Sequence, residues 1–153
     1  MSDYQIVCDA IKTDLVGNVA GLFDAEVHLY EPWDPEALVA AVGEKHLAIW
    51  PVAEQADSAE VIATGFHLLT QQYEIWYWEG AETENERMVR DEAAALKLLD
   101  LHNAVRARFY VEENQALGGS KLVWYTRANL PNAPSLVRWF RIVLRVERLQ
   151  AFT

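Results

Sequence analysis

The chain of 153 residues holds one cysteine, Cys8, so no disulfide can form within it, and a reducing compartment suits it. Cys8 falls on the apolar stripe of an expected helix and reads as a buried structural thiol. Basic residues are scarce, 13 Lys and Arg against 23 Asp and Glu, for a net charge of −10. That deficit argues against broad phosphate-backbone binding, which needs excess cations. No run approaches the roughly 18 consecutive apolar residues of a membrane span. The start, Met1-Ser2-Asp3-Tyr4, has neither a basic region nor an apolar core, so the expectation is a chain without a leader, made and folded in a cytosol.

Signatures of catalysis are lacking too. The four histidines, His28, His46, His67 and His102, have no second His or Cys at ligand spacing. His28 and Glu31 could share a cation, but their spacing matches no metal motif. No Gly-x-Ser-x-Gly elbow and no Gly-x-Gly-x-x-Gly fingerprint occurs. Gly118-Gly119-Ser120-Lys121, with Asn114 upstream, has the wrong order for a phosphate loop. The carboxylate runs at Glu82, Glu84 and Glu86, and at Asp91 and Glu92, complement a helix start and read as solvated. The expectation is a non-enzyme with no cofactor and no metal.

What is present is half apolar residues and seventeen aromatics, enough for one packed domain over residues 1–153. Aromatics build cores and are also enriched where proteins meet. Ser2-Asp3-Tyr4-Gln5 forms a capping box, and Tyr4, Val7, Cys8, Ile11, Leu15, Val19 and Leu22 recur at helical steps. Gly17 and Gly21 weaken the end of that helix. Ala25 to Tyr30 alternates as a half-buried strand, and Asp34-Pro35-Glu36 starts a short helix that Gly43 closes. His46 to Val52 is an interior strand that should stop near Pro51. Val61 to Trp78 is strand-rich, with Tyr73, Ile75 and Tyr77 on one face and Glu74, Trp76 and Trp78 on the other.

Thr83-Glu84-Asn85-Glu86 caps the longest helix, whose stripe is Ala94, Leu98, Leu101, Val105 and Phe109. His102 lies beside that stripe and reads as a hydrogen-bonded core histidine. Gly118-Gly119 breaks the chain, Leu122 to Tyr125 is a strand, and Leu130 to Pro134 is a loop. The last strand sets Phe140, Ile142, Leu144 and Val146 against Trp139, Arg141, Val143, Arg145 and Glu147. Glu54–Glu60, 80–83 and 129–134 are the expected mobile segments. This order implies an α+β domain: a mixed or antiparallel sheet of four to five strands with two main amphipathic helices packed on one face.

Charge is divided by sign along the chain. Residues 121–153 carry six basic side chains and one acid, net +5, whereas residues 1–120 carry seven basic and twenty-two acidic, net −15. Opposite surfaces on one subunit can meet head to tail on identical copies and close into a ring.

Four phrases carry a resemblance: Glu31-Pro32-Trp33-Asp34-Pro35-Glu36, Ala48-Ile49-Trp50-Pro51, Gln72-Tyr73-Glu74-Ile75-Trp76-Tyr77-Trp78-Glu79, and Val137-Arg138-Trp139-Phe140. With the order of elements, they resemble the minor tail proteins of actinobacterial phages, and more specifically the tail-terminator family of long-tailed phages, over most of the chain. The resemblance implies a structural virion protein, made in the host cytoplasm, that forms a six-membered ring at the head-proximal end of the tail. Such a ring halts tail-tube polymerisation and joins the tail to the head connector. Its partners would be other copies of itself, the tail-tube protein and the connector, with DNA passing through unbound. No functional residue transfers, because the family has no motif that fixes one.

Candidate interface residues therefore come from this chain alone: Arg138, Arg141, Arg145 and Arg148, the acids Glu82, Glu84 and Glu86, and Trp76 and Trp78. In a ring, Arg141 and Arg145 could face those acids on the next subunit, each exposed pair contributing roughly 0–1 kcal/mol. Two other classes stay open. One is a soluble, non-catalytic binding module that uses the Trp76/Trp78 face. The other is an enzyme whose site assembles from distant residues. A head-side neck or connector protein is a sibling of the ring reading.

Overall fold

A computed structural model describes residues 2–29, 45–57, 66–80, 96, 98–110, 116–118, 120–129 and 137–151. Helix α1 runs Asp3–Asn18, and Ser2 caps it by accepting a hydrogen bond from the Gln5 backbone N–H at 3.2 Å. A 3₁₀ turn at Asp24–Glu26 leads into β1 (Val27–His28), followed by β2 (Lys45–Asp57) and β3 (Phe66–Gly80). Helix α2 covers 98–108, then come β4 (Ala116–Leu117), β5 (Ser120–Asn129) and β6 (Val137–Ala151).

The strands form one sheet in the order β1-β2-β3-β6-β5-β4. β1 joins β2 in parallel and every other pairing is antiparallel, so the sheet is mixed. This is the expected α+β architecture. The sheet has six strands because two of them, β1 and β4, are only two residues long.

The centre is the β3–β6 ladder, paired without a break from Phe66↔Ala151 to Gly80↔Val137. Alternation then divides the sheet into two faces. Leu47, Ile49, Tyr73, Ile75, Tyr77, Leu122, Phe140, Ile142, Leu144 and Val146 point into one core. Val7, Cys8, Ile11 and Leu15 of α1, and Leu98 and Val105 of α2 with Phe109 just beyond it, fill the same core. Both helices therefore cover one face. Arg108 and Asp14 tie them together through two charge-assisted hydrogen bonds of 2.7 and 3.0 Å, largely shielded from water.

Several expectations need correction. The strand expected from Ala25 shrinks to Val27–His28, because the Glu26 carboxylate turns back to accept the Phe23 N–H at 3.0 Å and holds a turn. Pro51 does not stop β2, which continues to Asp57 across a register shift between Pro51 and Ala53. Among the described residues β1 covers β2 only at Leu47 and Ala48, so Pro51 sits on an edge and at a bulge, where its missing N–H does least harm. The same extension orders Glu54–Asp57, expected to be mobile, against Leu68–Gln71. The helix from Asp34, the capping box at Thr83 and the loop 130–134 lie outside the described residues.

Gly118 stands in the turn of the hairpin that pairs Leu117 with Ser120. Gly118 has φ +58°, and a Cβ placed there would stand 2.8 Å from Ile6 Cγ2 and 3.1 Å from the Ile6 backbone. Glycine lets the hairpin lie directly against α1. Gly118→Ala should cost roughly 1–3 kcal/mol through backbone strain and this clash. Gly17→Ala, in α1 with nothing within 4 Å, should instead gain about 0.5–1 kcal/mol. Thermal melts of the two variants should move in opposite directions.

Candidate functional site

The face away from the helices carries the charged and aromatic residues singled out from the sequence. Trp76 pairs across the ladder with Arg141, Glu74 with Val143 and Gln72 with Arg145. The Trp76 indole N–H donates to Glu74 at 2.7 Å, while Arg141 approaches the other Glu74 oxygen at 3.3 Å and lies 5.8 Å from the Trp76 ring centre. One carboxylate thus orients an indole and a guanidinium together. Arg141 and Glu74 retain only 23% and 16% of their side-chain exposure, so water screens the pair less than a surface bridge.

Arg145 differs in having no ion pair among the described residues, while its Nε, like that of Arg141, is shut off from solvent without a hydrogen-bond partner there. Arg148 falls on the helix side of the sheet, where it meets Asp3 at the start of α1 at 3.4 Å. That spacing makes an ion pair, although the Nη1 geometry forms no hydrogen bond. The ladder therefore brings Trp76, Arg141 and Arg145 onto one face and sends Arg148 to the other. Arg138 and Trp78 are placed in β6 and β3, opposite Glu79 and Trp139. Glu82, Glu84 and Glu86 lie outside the described residues.

A second polar group sits under the first turn of α1. The buried Tyr73 hydroxyl donates to Gln71 at 2.8 Å, and the Gln71 amide donates to Glu54 at 3.0 Å. Tyr4 also bonds Glu54, and burial raises the Tyr4 phenol above its ordinary value. Burial pushes the Cys8 thiol up to about 12, so it stays protonated and inert, as expected of a structural cysteine. Beside this network a cleft of about 280 Å³ is lined by Tyr4, Gln5, Cys8, Leu29, Trp50 and Pro51.

The third feature is the far end of the sheet. Val52 and Leu149 are exposed there, Leu149 to 62%, and Leu149 stands on the face away from the helices. Leu68 pairs with Leu149 and Lys121 with Glu147, and these four residues together with Arg148 line an open cleft of about 380 Å³. Sequence reasoning missed this patch. Its signal was Leu149, an apolar residue near the end of the strand face that also carries Arg141, Val143, Arg145 and Glu147.

Among the described residues no group of three or more His, Cys, Asp or Glu is placed to hold a metal ion, and no helix is long and apolar enough to cross a membrane. No protein-family model matches the chain, and no curated protein matches it.

The Glu74–Arg141–Trp76 arrangement makes a quantitative expectation. A double-mutant cycle on Glu74→Gln and Arg141→Leu, followed by denaturant unfolding, should return a coupling of about 0.5–2 kcal/mol. Arg141→Leu alone should be the more damaging change, since it leaves the Glu74 carboxylate half-buried with only the indole to bond it.

Proposed function

We propose that the protein is a structural virion component that assembles with copies of itself into a ring at the head-proximal end of a phage tail. There it stops tube growth and meets the head connector. The observation that carries this reading is the exposed apolar patch at the end of the β3–β6 ladder. Leu149 and Leu68 form an apolar centre flanked by Lys121, Glu147 and Arg148, the anatomy of a protein contact rather than of a catalytic pocket. The division of charge into a −15 segment and a +5 segment supports a head-to-tail contact between unlike surfaces.

The contact chemistry changes in one respect. Arg141 already has a carboxylate in its own subunit, so a bridge to Glu82, Glu84 or Glu86 of a neighbour falls to Arg145. The acidic total also suits a bore through which DNA slides without sticking. Each such contact is weak alone, and closure of a ring on the tube's end supplies the avidity.

Light scattering and negative-stain imaging, with and without the tube protein of the same virion, test the reading. The expected outcome is a closed ring, or tubes capped and shortened. A monomer that neither binds nor limits tubes would rule it out. Leu149→Glu, on an exposed side chain, should weaken self-association at least about tenfold, near 1.4 kcal/mol, with little change in melting temperature.

A further inference from the structure

His102 lies in the middle of the core, 3% exposed, on the face of α2 that packs against the sheet. Among the described residues neither Nδ1 nor Nε2 has a hydrogen-bond partner, although a buried imidazole normally finds at least one. Its ring stands edge-on to Phe140 of β6, centroids 4.6 Å apart at 82°, and Phe140 in turn stacks on Tyr77 of β3 at 5.4 Å. The histidine is thus expected in the core, as the stripe implied, but it is not hydrogen-bonded there. It packs as a neutral aromatic at the junction between α2 and the central ladder.

We propose that His102 is an acid-sensitive latch: protonating it loosens α2 from the sheet while the β3–β6 ladder stays paired. Among the described residues, the charged groups around it do nothing to hold an imidazolium. On its own helix the neighbour acting on it is Arg106, a cation. Arg108 is already closed on Asp14 of α1. The elements packed against it offer Phe140 from β6, backed by Tyr77 from β3, and the edge-to-face contact favours an uncharged ring. Burial first, and then Arg106, hold the His102 pKa below its ordinary value. The unfolded chain keeps an ordinary histidine, so stability is full above about pH 6.5 and declines as the pH falls below it. Opening is expected to be local. α2 reaches the sheet through side chains such as Leu98, Val105 and His102, whereas β3 and β6 are also held by fifteen backbone pairings.

The test compares the 153-residue chain with its His102→Gln variant between about pH 8 and pH 5, the range in which histidine titrates. Melting temperature and amide hydrogen exchange, corrected for intrinsic rates, are the readouts. The wild type should lose roughly 2–4 °C more than the variant over this range. Exchange should rise across 98–108 at acid pH while β3 and β6 remain protected. Equal pH slopes in the two proteins, or ladder and helix opening together, would overturn the latch. Should His102→Gln fail to fold, His102→Leu supplies the same comparison. An NMR titration of the wild-type imidazole, which needs no variant, should give a midpoint below that of an exposed histidine. A midpoint at or above the ordinary value would also overturn the proposal.

Discussion

The unbroken antiparallel pairing of β3 with β6 is the constraint on which the rest of this structure depends. Fifteen consecutive registers fix which side of the sheet every residue of both strands occupies. A slip of one position would exchange the two faces, burying Arg141 and Arg145 under the helices and exposing Tyr73, Ile75 and Phe140. The cost of burying unpaired guanidiniums excludes that register as firmly as the hydrophobic gain favours the native one. β2 and β5 then add to a template whose sidedness is already set, and their bulges at Pro51/Ala53 and Val123/Arg127 accommodate local misfits without disturbing the centre.

With the sidedness fixed, both helices must cover the same surface, and three specific contacts set where they lie. Asp14 and Arg108 lock α1 to α2. Arg148 meets Asp3 at the start of α1, where the acid also complements the helix dipole. Gly118 lets the β4–β5 hairpin press against Ile6 on the third side. The chain Tyr73–Gln71–Glu54 keeps the polar atoms beneath α1 satisfied where the sheet leaves the core. His102 stands apart from that network, a buried polar ring packed edge-on against Phe140; like the buried Ser120 hydroxyl it has no hydrogen-bond partner among the described residues.

Much of this was legible in the sequence because burial follows simple periods. The three-and-four spacing of Val7, Cys8, Ile11 and Leu15 and the alternation of Tyr73, Ile75 and Tyr77 are direct imprints of one-sided packing. What was not legible depends on contacts between distant residues. Nothing local to Pro51 says that it will sit at a bulge on an edge, and nothing in Gly118-Gly119 says that Ile6 will stand against it. Arg141 was expected to face Glu82, Glu84 or Glu86 of a neighbour, and its pairing with Glu74 was not foreseen, because only the register makes the two neighbours of Trp76. The polarity of Arg145 and the sidedness of Arg141 could be read, but not that one would have a carboxylate in its own subunit and the other none.

The end of the β3–β6 ladder leaves an apolar side chain in water: Leu149, paired with Leu68, is 62% exposed on the face away from the helices. An exposed strand end that carries such a residue invites pairing with another chain unless something covers it. In the assembly proposed above, a neighbour would cover this surface, where the ladder continues through Leu68↔Leu149 to Phe66↔Ala151. Lys121, Glu147 and Arg148 would then contribute little attraction individually but would oppose misregistered contacts, leaving the apolar centre to supply the affinity.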